Sequence, residues 1–269
     1  MYHLDFAARI DRGLVREMNQ DVARVYPDLG LALVADGMGG HAHGNLASQT
    51  AADGLEQSFE ELSGAGADID ETAQRLLTSF AVANRRISEH PKAGEGYATM
   101  GTTLVAAAIA HGRAAIGNIG DSRCYRLRGE AFDLLTDDHS YAAELKKRGV
   151  TALADGSDAA DEHKNVLTRC LDGKRDVAVD MRIVRCEPGD VFLLCSDGLW
   201  GSAHELVIAD ILKMARDADE ACKRLVGAAW AGGGLDNIGV AVIRLVPRQL
   251  RPDKPTTSDE LPEQPTGDD

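Results

Sequence analysis

Apolar stretches of strand length recur along the chain, separated by polar turns that contain glycine. They comprise residues 31–35, 103–109, 114–119, 177–184, 191–195 and 238–246. Consecutive stretches are joined by connections as short as His111-Gly112 and Arg128-Gly129-Glu130. Connections of that length make antiparallel neighbours, because parallel pairing needs a crossover of a dozen or more residues. Helical periodicity occupies residues 44–62 and 70–90 as one pair, and 204–215 and 219–231 as another. Strands in series with two separated helix pairs predict a layered α+β domain, an α-β-β-α sandwich of two antiparallel sheets flanked by helix pairs. The pattern runs to residue 246. Residues 247–269 hold five of the eight prolines, end in Gly-Asp-Asp and show no periodicity, so they read as a disordered acidic tail.

Composition narrows the function. A chain of 269 residues with 44% apolar residues can bury a substantial core. Aromatics make up 4% and the formal charge is −14, so neither a stacking platform nor a cationic groove for nucleic acid is present. That acidity poses a problem for any phosphate-handling site, since only bound cations or a placed arginine could reverse the field locally. The cysteines, at 124, 170, 186, 195 and 222, form no C-x-x-C pair and read as reduced core thiols of a cytoplasmic protein. Residues 1–12 lack the cationic start and apolar core of a signal peptide, and no apolar run approaches the ~18 residues of a bilayer span.

The candidate chemistry lies in aspartates at the ends of the apolar runs. Asp36 follows Leu33-Val-Ala, Asp121 follows Gly117-Asn-Ile-Gly, Asp197 follows Leu193-Leu-Cys-Ser, and Asp236 precedes Asn237-Ile238; Asp21 closes Asn19-Gln20-Asp21. Any one of them alone reads as a turn residue. Their repetition changes this reading, because strand ends of adjacent sheets converge. A cluster of ionised carboxylates needs cations, and an all-oxygen donor set points to Mg²⁺ or Mn²⁺ rather than zinc. Two such ions could activate a water and hold both ends of an in-line displacement at phosphorus. Competing chemistries lack their signatures. No cysteine has an arginine six positions on, and there is no G-x-x-x-x-G-K-[ST] loop. Asp68-Ile-Asp70-Glu-Thr72 matches the D-x-D-x-T string of aspartyl-phosphate enzymes but follows a glycine-alanine linker instead of a strand, which makes Asp70 a helix cap.

Gly13-Leu-Val-Arg16-Glu-Met-Asn-Gln-Asp21, Val34-Ala-Asp36-Gly37-Met-Gly-Gly-His41, Gly117-Asn-Ile-Gly-Asp121-Ser-Arg123, Ser196-Asp197-Gly-Leu-Trp200 and Asp236-Asn-Ile238 together resemble the metal-dependent, type 2C serine/threonine protein phosphatases in their bacterial form. The resemblance spans roughly residues 4–246 and implies the same sandwich around a dinuclear Mn²⁺/Mg²⁺ centre. By motif, Asp36 would bridge both ions, with the Gly37 carbonyl as a further ligand. Asp197 and Asp236 would hold one ion, Asp21 would act mostly through water, and Asp121 matches the ligand of a weaker third ion. Arg16 would grip the substrate phosphate, a task suited to a planar bidentate donor. Eukaryotic relatives place a histidine directly after the Asp-Gly pair, where this chain has Met38, and His41 follows Gly39-Gly40. It would either cap the next helix or protonate the leaving alkoxide, while His43 reads as a surface residue. Residues from about 138 to 170, including Thr136-Asp-Asp138-His-Ser140 and Asn165-Val-Leu-Thr-Arg169, resemble the family's flap. The implied partners are phosphorylated proteins, including a serine/threonine kinase or its targets, and the implied state is a monomer.

Overall fold

The computed structural model describes residues 1–39, 42–64, 67–90, 100–150, 166–174, 176 and 178–248. The acidic tail from 249 onward and the interior of the expected flap lie outside these residues.

Eleven strands form two antiparallel sheets among the described residues. The first runs β1 (Tyr2–Asp11), β11 (Ile238–Pro247), β10 (Val191–Cys195), β7 (Arg123–Arg128), β8 (Ala131–Leu134) in spatial order. The second runs β2 (Asp21–Tyr26), β3 (Leu31–Met38), β5 (Leu104–Ala110), β6 (Arg113–Ile119), β9 (Asp180–Arg185), with β4 (Gly101–Thr102) paired to the end of β3. Helices α1 (Ala42–Glu61) and α2 (Ile69–Glu89) cover the second sheet, joined to it by a core that includes Leu55, Phe59, Leu76 and Phe80. Helices α5 (Glu205–Met214) and α6 (Ala218–Ala231) cover the first, around Ile208, Leu212 and Leu225. Two shorter helices, α3 (Tyr141–Lys147) and α4 (Asp197–Trp200), lie beside the strand ends. The predicted α-β-β-α order is the observed one.

The alternation of side chains explains why β3 is apolar without interruption. Leu31, Leu33 and Ala35 pack against the helices, whereas Ala32 and Val34 face the other sheet with Phe192, Leu194, Ala241 and Ile243. Both faces are covered, so a half-polar pattern would bury unpaired polar groups. The same two-residue period carries Asp36 onto the inter-sheet face, at the end of the layer.

Three expectations need correction. The apolar run 177–184 predicts a strand from 177, but β9 begins at Asp180. Asp70 does not cap α2. Asp68 does, accepting from the N–H groups of Asp70 and Glu71 while Glu71 accepts from the Asp68 N–H in a reciprocal capping box. Asp21 ends the turn that begins at Asn19, its N–H donating to Asn19 Oδ1, and opens β2 directly opposite Asp36, which is no departure from expectation. β11 also runs through Pro247, one residue beyond the expected domain boundary, with the Arg248 N–H donating to the Met1 carbonyl.

The start of α1 lies almost in contact with β3. A Cβ built on Gly44 would stand 2.5 Å from the Gly37 carbonyl oxygen, and one on Gly37 would stand 2.0 Å from the Gly44 carbonyl oxygen. Gly44→Ala should therefore lower stability, by about 1–3 kcal/mol for overpacking, although alanine is the better helix former. Gly227 in α6 has open space around its Cβ position. Gly227→Ala should raise stability by about 0.5–1 kcal/mol. Chemical denaturation of the two variants measures both signs, and a stabilised Gly44→Ala protein would refute the close approach.

Candidate metal centre

The β2–β3 register places Asp21 directly across from Asp36. Like charges in that relation repel each other. From the opposite sheet, β10 ends at Cys195 and delivers Ser196 and Asp197, while the turn before β11 delivers Asp236. The β6–β7 turn supplies Asp121. Asp36, Gly37, Asp121, Asp197 and Asp236 thus line one cleft of about 250 Å³ together with Arg16, and Asp21 lies buried behind Asp36. His41 lies outside the described residues.

Each backbone segment is fixed. The Asp36 N–H donates to Thr103 Oγ1 at 2.9 Å, and its carbonyl accepts from the Thr102 hydroxyl and the Thr103 N–H. Ser196 Oγ donates to Asp21 Oδ2 at 2.6 Å and accepts from the Gly239 N–H, linking the two sheets at the carboxylates. Asn237 holds the 12–20 loop, donating to the Arg12 and Met18 carbonyls and accepting from the Gln20 N–H. Trp200 Nε1 donates to the Asp121 carbonyl, and the Trp200 ring stacks under the Arg123 guanidinium at 3.7 Å. Arg123 is in turn held by both oxygens of Asp138. His139 Nδ1 accepts from the Gly120 N–H, and its Nε2 lies 2.9 Å from Asp180.

Sequence reasoning missed these supporting residues. Ser196, Asn237 and Trp200 each sit inside a recognised motif, so proximity was the available signal, whereas Thr103 opens an apolar run far in sequence from every predicted ligand. His139 lay in a stretch resembling the flap, but its contact with Asp180, 41 residues further on, carried no such signal, because β9 delivers that partner beside β6.

The electrostatics are those of a site made for cations. Burial raises the Asp36 carboxyl well above the ordinary range, reinforced by Asp21, Asp197, Asp121 and Asp236. Burial and the neighbouring Asp197 and Asp236 push Asp21 up to about 7, against the pull of the Ser196 hydroxyl. Asp121 is likewise raised to about 7 by burial and by Asp197, and Asp197 is raised by burial and by Asp236. Among the described residues, Asp21 Oδ1 and Asp197 Oδ1 are buried without a hydrogen-bond partner. Orphaned carboxylate oxygens in a carboxylate-rich site fit hard divalent cations. No three of the described side chains already stand in a metal-binding group; the carboxylates line one cleft instead. Arg16 Nη2 bonds Asp236 Oδ2 at 2.7 Å and stays half-exposed, so it faces the cleft as a cation.

Comparison with known proteins agrees with this geometry. The family described as "Protein phosphatase 2C" matches residues 10–226. The chain is 35% identical over 244 residues to the serine/threonine phosphatase stp of Listeria welshimeri, covering 90% of this chain and 95% of the relative. It is 33% identical over 245 residues to protein phosphatase PhpP of Streptococcus pneumoniae, covering 90% and 98%. The catalytic domain of the serine/threonine protein phosphatase PstP, crystallised with two manganese ions, superposes with a TM-score of 0.79 at 31% identity, covering 92% of this chain and all of that one.

The raised carboxyl pKa values set a sign for stability. Asp21 and Asp121 bind protons more readily folded than unfolded, so their contribution is complete below pH 4 and is lost as pH rises through about 7. In chelator, the melting temperature should therefore fall between pH 5 and pH 8, with a shallower slope in Asp121→Asn. Saturating Mn²⁺ should restore it at pH 8, since a ligand at a hundred times its Kd adds about 2.7 kcal/mol. Thermal melts across this range measure it. Equal slopes in both proteins would mean that Asp121 does not titrate as described.

Proposed function

The chain belongs to the protein phosphatase 2C family and is a metal-dependent serine/threonine protein phosphatase, and from that premise we propose a role for each residue of the cleft. The observation that carries the assignment is the convergence of Asp36, Gly37, Asp197 and Asp236 from two sheets onto one cleft that also holds Arg16.

Asp36, with the Gly37 carbonyl, would hold both ions, and Asp197 and Asp236 would complete the shell of one. Asp21, buried behind Asp36 and tied to Ser196, would act through water, and Asp121 would serve a weaker third ion. When bound, the ions supply Lewis-acid polarisation of the phosphoryl oxygens and lower the pKa of coordinated water. Everything else falls to the chain. Arg16, released from Asp236, would bind the substrate phosphate with two N–H donors and orient phosphorus for in-line attack. For His41, one role is as an acid to the leaving alkoxide and the other is as a cap of α1. None of the five cysteines is in a disulfide, which is compatible with a reducing compartment and with the cytoplasmic location that we propose. Among the described residues, no helix is long and apolar enough to cross a membrane. The substrates would include a serine/threonine kinase or its targets, and the protein would act as a monomer.

Chelator should abolish turnover of a phosphothreonine peptide, and Mn²⁺ or Mg²⁺ should restore it. Asp36→Asn, Asp197→Asn and Asp236→Asn should each lower kcat by several orders of magnitude while remaining folded by circular dichroism. A variant that keeps near wild-type kcat would return its aspartate to a turn role. Arg16→Ala should chiefly raise KM for the phosphopeptide, by roughly 10–100-fold for a charge-assisted contact of about 1.5–3 kcal/mol. His41→Ala separates its two roles. An acid lost from the leaving group should slow phosphothreonine peptide more than p-nitrophenyl phosphate, and equal losses would indicate the cap.

A further inference from the structure

The residues that flank Arg16 and Asp236 in the chain are aliphatic and exposed. Leu14 and Val15 each keep 62% of their surface accessible, Leu235 keeps 64% and Met18 keeps 43%. All four lie within two positions of Arg16 or Asp236 in the chain. Large apolar side chains concentrated in this way mark contact surfaces, whereas single exposed ones do not.

The loops carrying them are rigid. The Leu14 N–H donates to the Gly234 carbonyl at 2.8 Å, and a Cβ on Gly234 would touch the Leu14 side chain at 2.9 Å. Gly13 approaches so closely that its Cβ would stand 2.1 Å from the Asp236 carbonyl oxygen. Asn237 ties Met18 and Gln20 to the same turn. The backbone from which these side chains emerge is therefore fixed on both loops.

A shallow hollow of about 150 Å³, walled by Arg16, Glu17, Met18, Gln20 and Asn237, continues the metal cleft and shares Arg16, Gln20 and Asn237 with it. A phosphopeptide whose phosphate is gripped by Arg16 has its neighbouring residues within reach of this hollow and of Met18 in its wall, because consecutive residues advance only about 3.3–3.6 Å. We infer that Leu14, Val15, Met18 and Leu235 form a subsite that selects phosphoproteins with an aliphatic residue next to the phosphorylated one. The inference rests on the reading of Arg16 as the phosphate grip. An aliphatic neighbour gains by covering apolar surface that otherwise faces water, and a polar one gains nothing there. Glu17 in the same wall carries no apolar surface to match. It supplies the competing outcome, a preference for a basic neighbour drawn by an acidic protein.

The test uses the full chain with Mn²⁺ and three phosphothreonine peptides that differ only in both neighbours of the phosphothreonine: leucine, asparagine of similar size, or lysine. The leucine peptide should show kcat/KM about 5–20-fold above the asparagine peptide, the low end of what methylene groups supply in a pocket, and mainly through KM. In a Leu14→Ser/Leu235→Ser protein that ratio should collapse towards one. If this protein folds poorly, Val15→Thr, which keeps shape but removes apolar surface, should still reduce the ratio. Equal rates for leucine and asparagine in the wild type would overturn the inference. So would a lysine peptide that matches or exceeds the leucine one, or a ratio that survives the substitutions. Arg16→Ala keeps the two readings apart. If it raises KM for both peptides while the wild type shows no leucine preference, only the subsite fails. If it leaves KM unchanged for both, the phosphate grip fails and the subsite with it.

Discussion

Mutual repulsion of carboxylates at the end of the inter-sheet layer is the constraint around which the molecule is organised. Asp21 and Asp36 face each other across a strand pair, and Asp197 and Asp236 arrive from the other sheet. Burial strips them of water, and proximity makes each raise its neighbours' pKa. Left to themselves, such groups would separate or take up protons. They stay because the backbone around them is fixed. Thr102 and Thr103 hold Asp36 through its backbone, Ser196, itself held by Gly239, reaches across from the other sheet to the Asp21 carboxylate, and Asn237 spans two loops. The sandwich supplies the stiffness, and the strain is held ready for cations.

This division of labour explains the composition of the core. β3 must reach the cleft at Asp36 while lying between a helix layer and a second sheet, so alanine, leucine and valine fill both of its faces. Small residues at Gly37 and Gly44 let α1 press onto the strand where the cleft begins. A larger side chain at either place would push the helix away from the strand. Packing in the core and geometry in the cleft are thus set by the same contacts.

The layered fold was legible in the sequence because fully covered strands print as continuous apolar runs and surface helices print at their own period. The strands that went unread were of another kind. β1 and β2 carry half-buried, mixed patterns such as His3-Leu-Asp-Phe, and β7 alternates arginine with Cys124, Tyr125 and Leu127. Such strands are defined by their partners more than by their own residues. The aspartates of the cleft could be nominated from their place at run ends and from the motifs around them. The His139–Asp180 contact could not, since a loop tied to Gly120 supplies His139 and β9 supplies Asp180 from 41 residues further on. Asp70 shows the limit of local reasoning in the other direction. The string around it suggested a cap, but the capping box needs the acceptor three residues before Glu71, and that position belongs to Asp68.

The charge of the whole chain bears on how a substrate is chosen. At −14 the protein repels a phosphate dianion at a distance, so no long-range field guides a phosphoprotein into the cleft. At physiological ionic strength that repulsion fades over roughly 8 Å, and inside that range the local arrangement decides. The cations of the centre and Arg16 reverse the sign where phosphorus must sit. They do so for every phosphorylated residue alike, because a phosphate presents the same oxygens whatever its neighbours. Discrimination among phosphoproteins therefore has to come from uncharged, short-range contacts around the cleft. The exposed aliphatic rim on the stapled loops is the part of this surface with the chemistry to provide it.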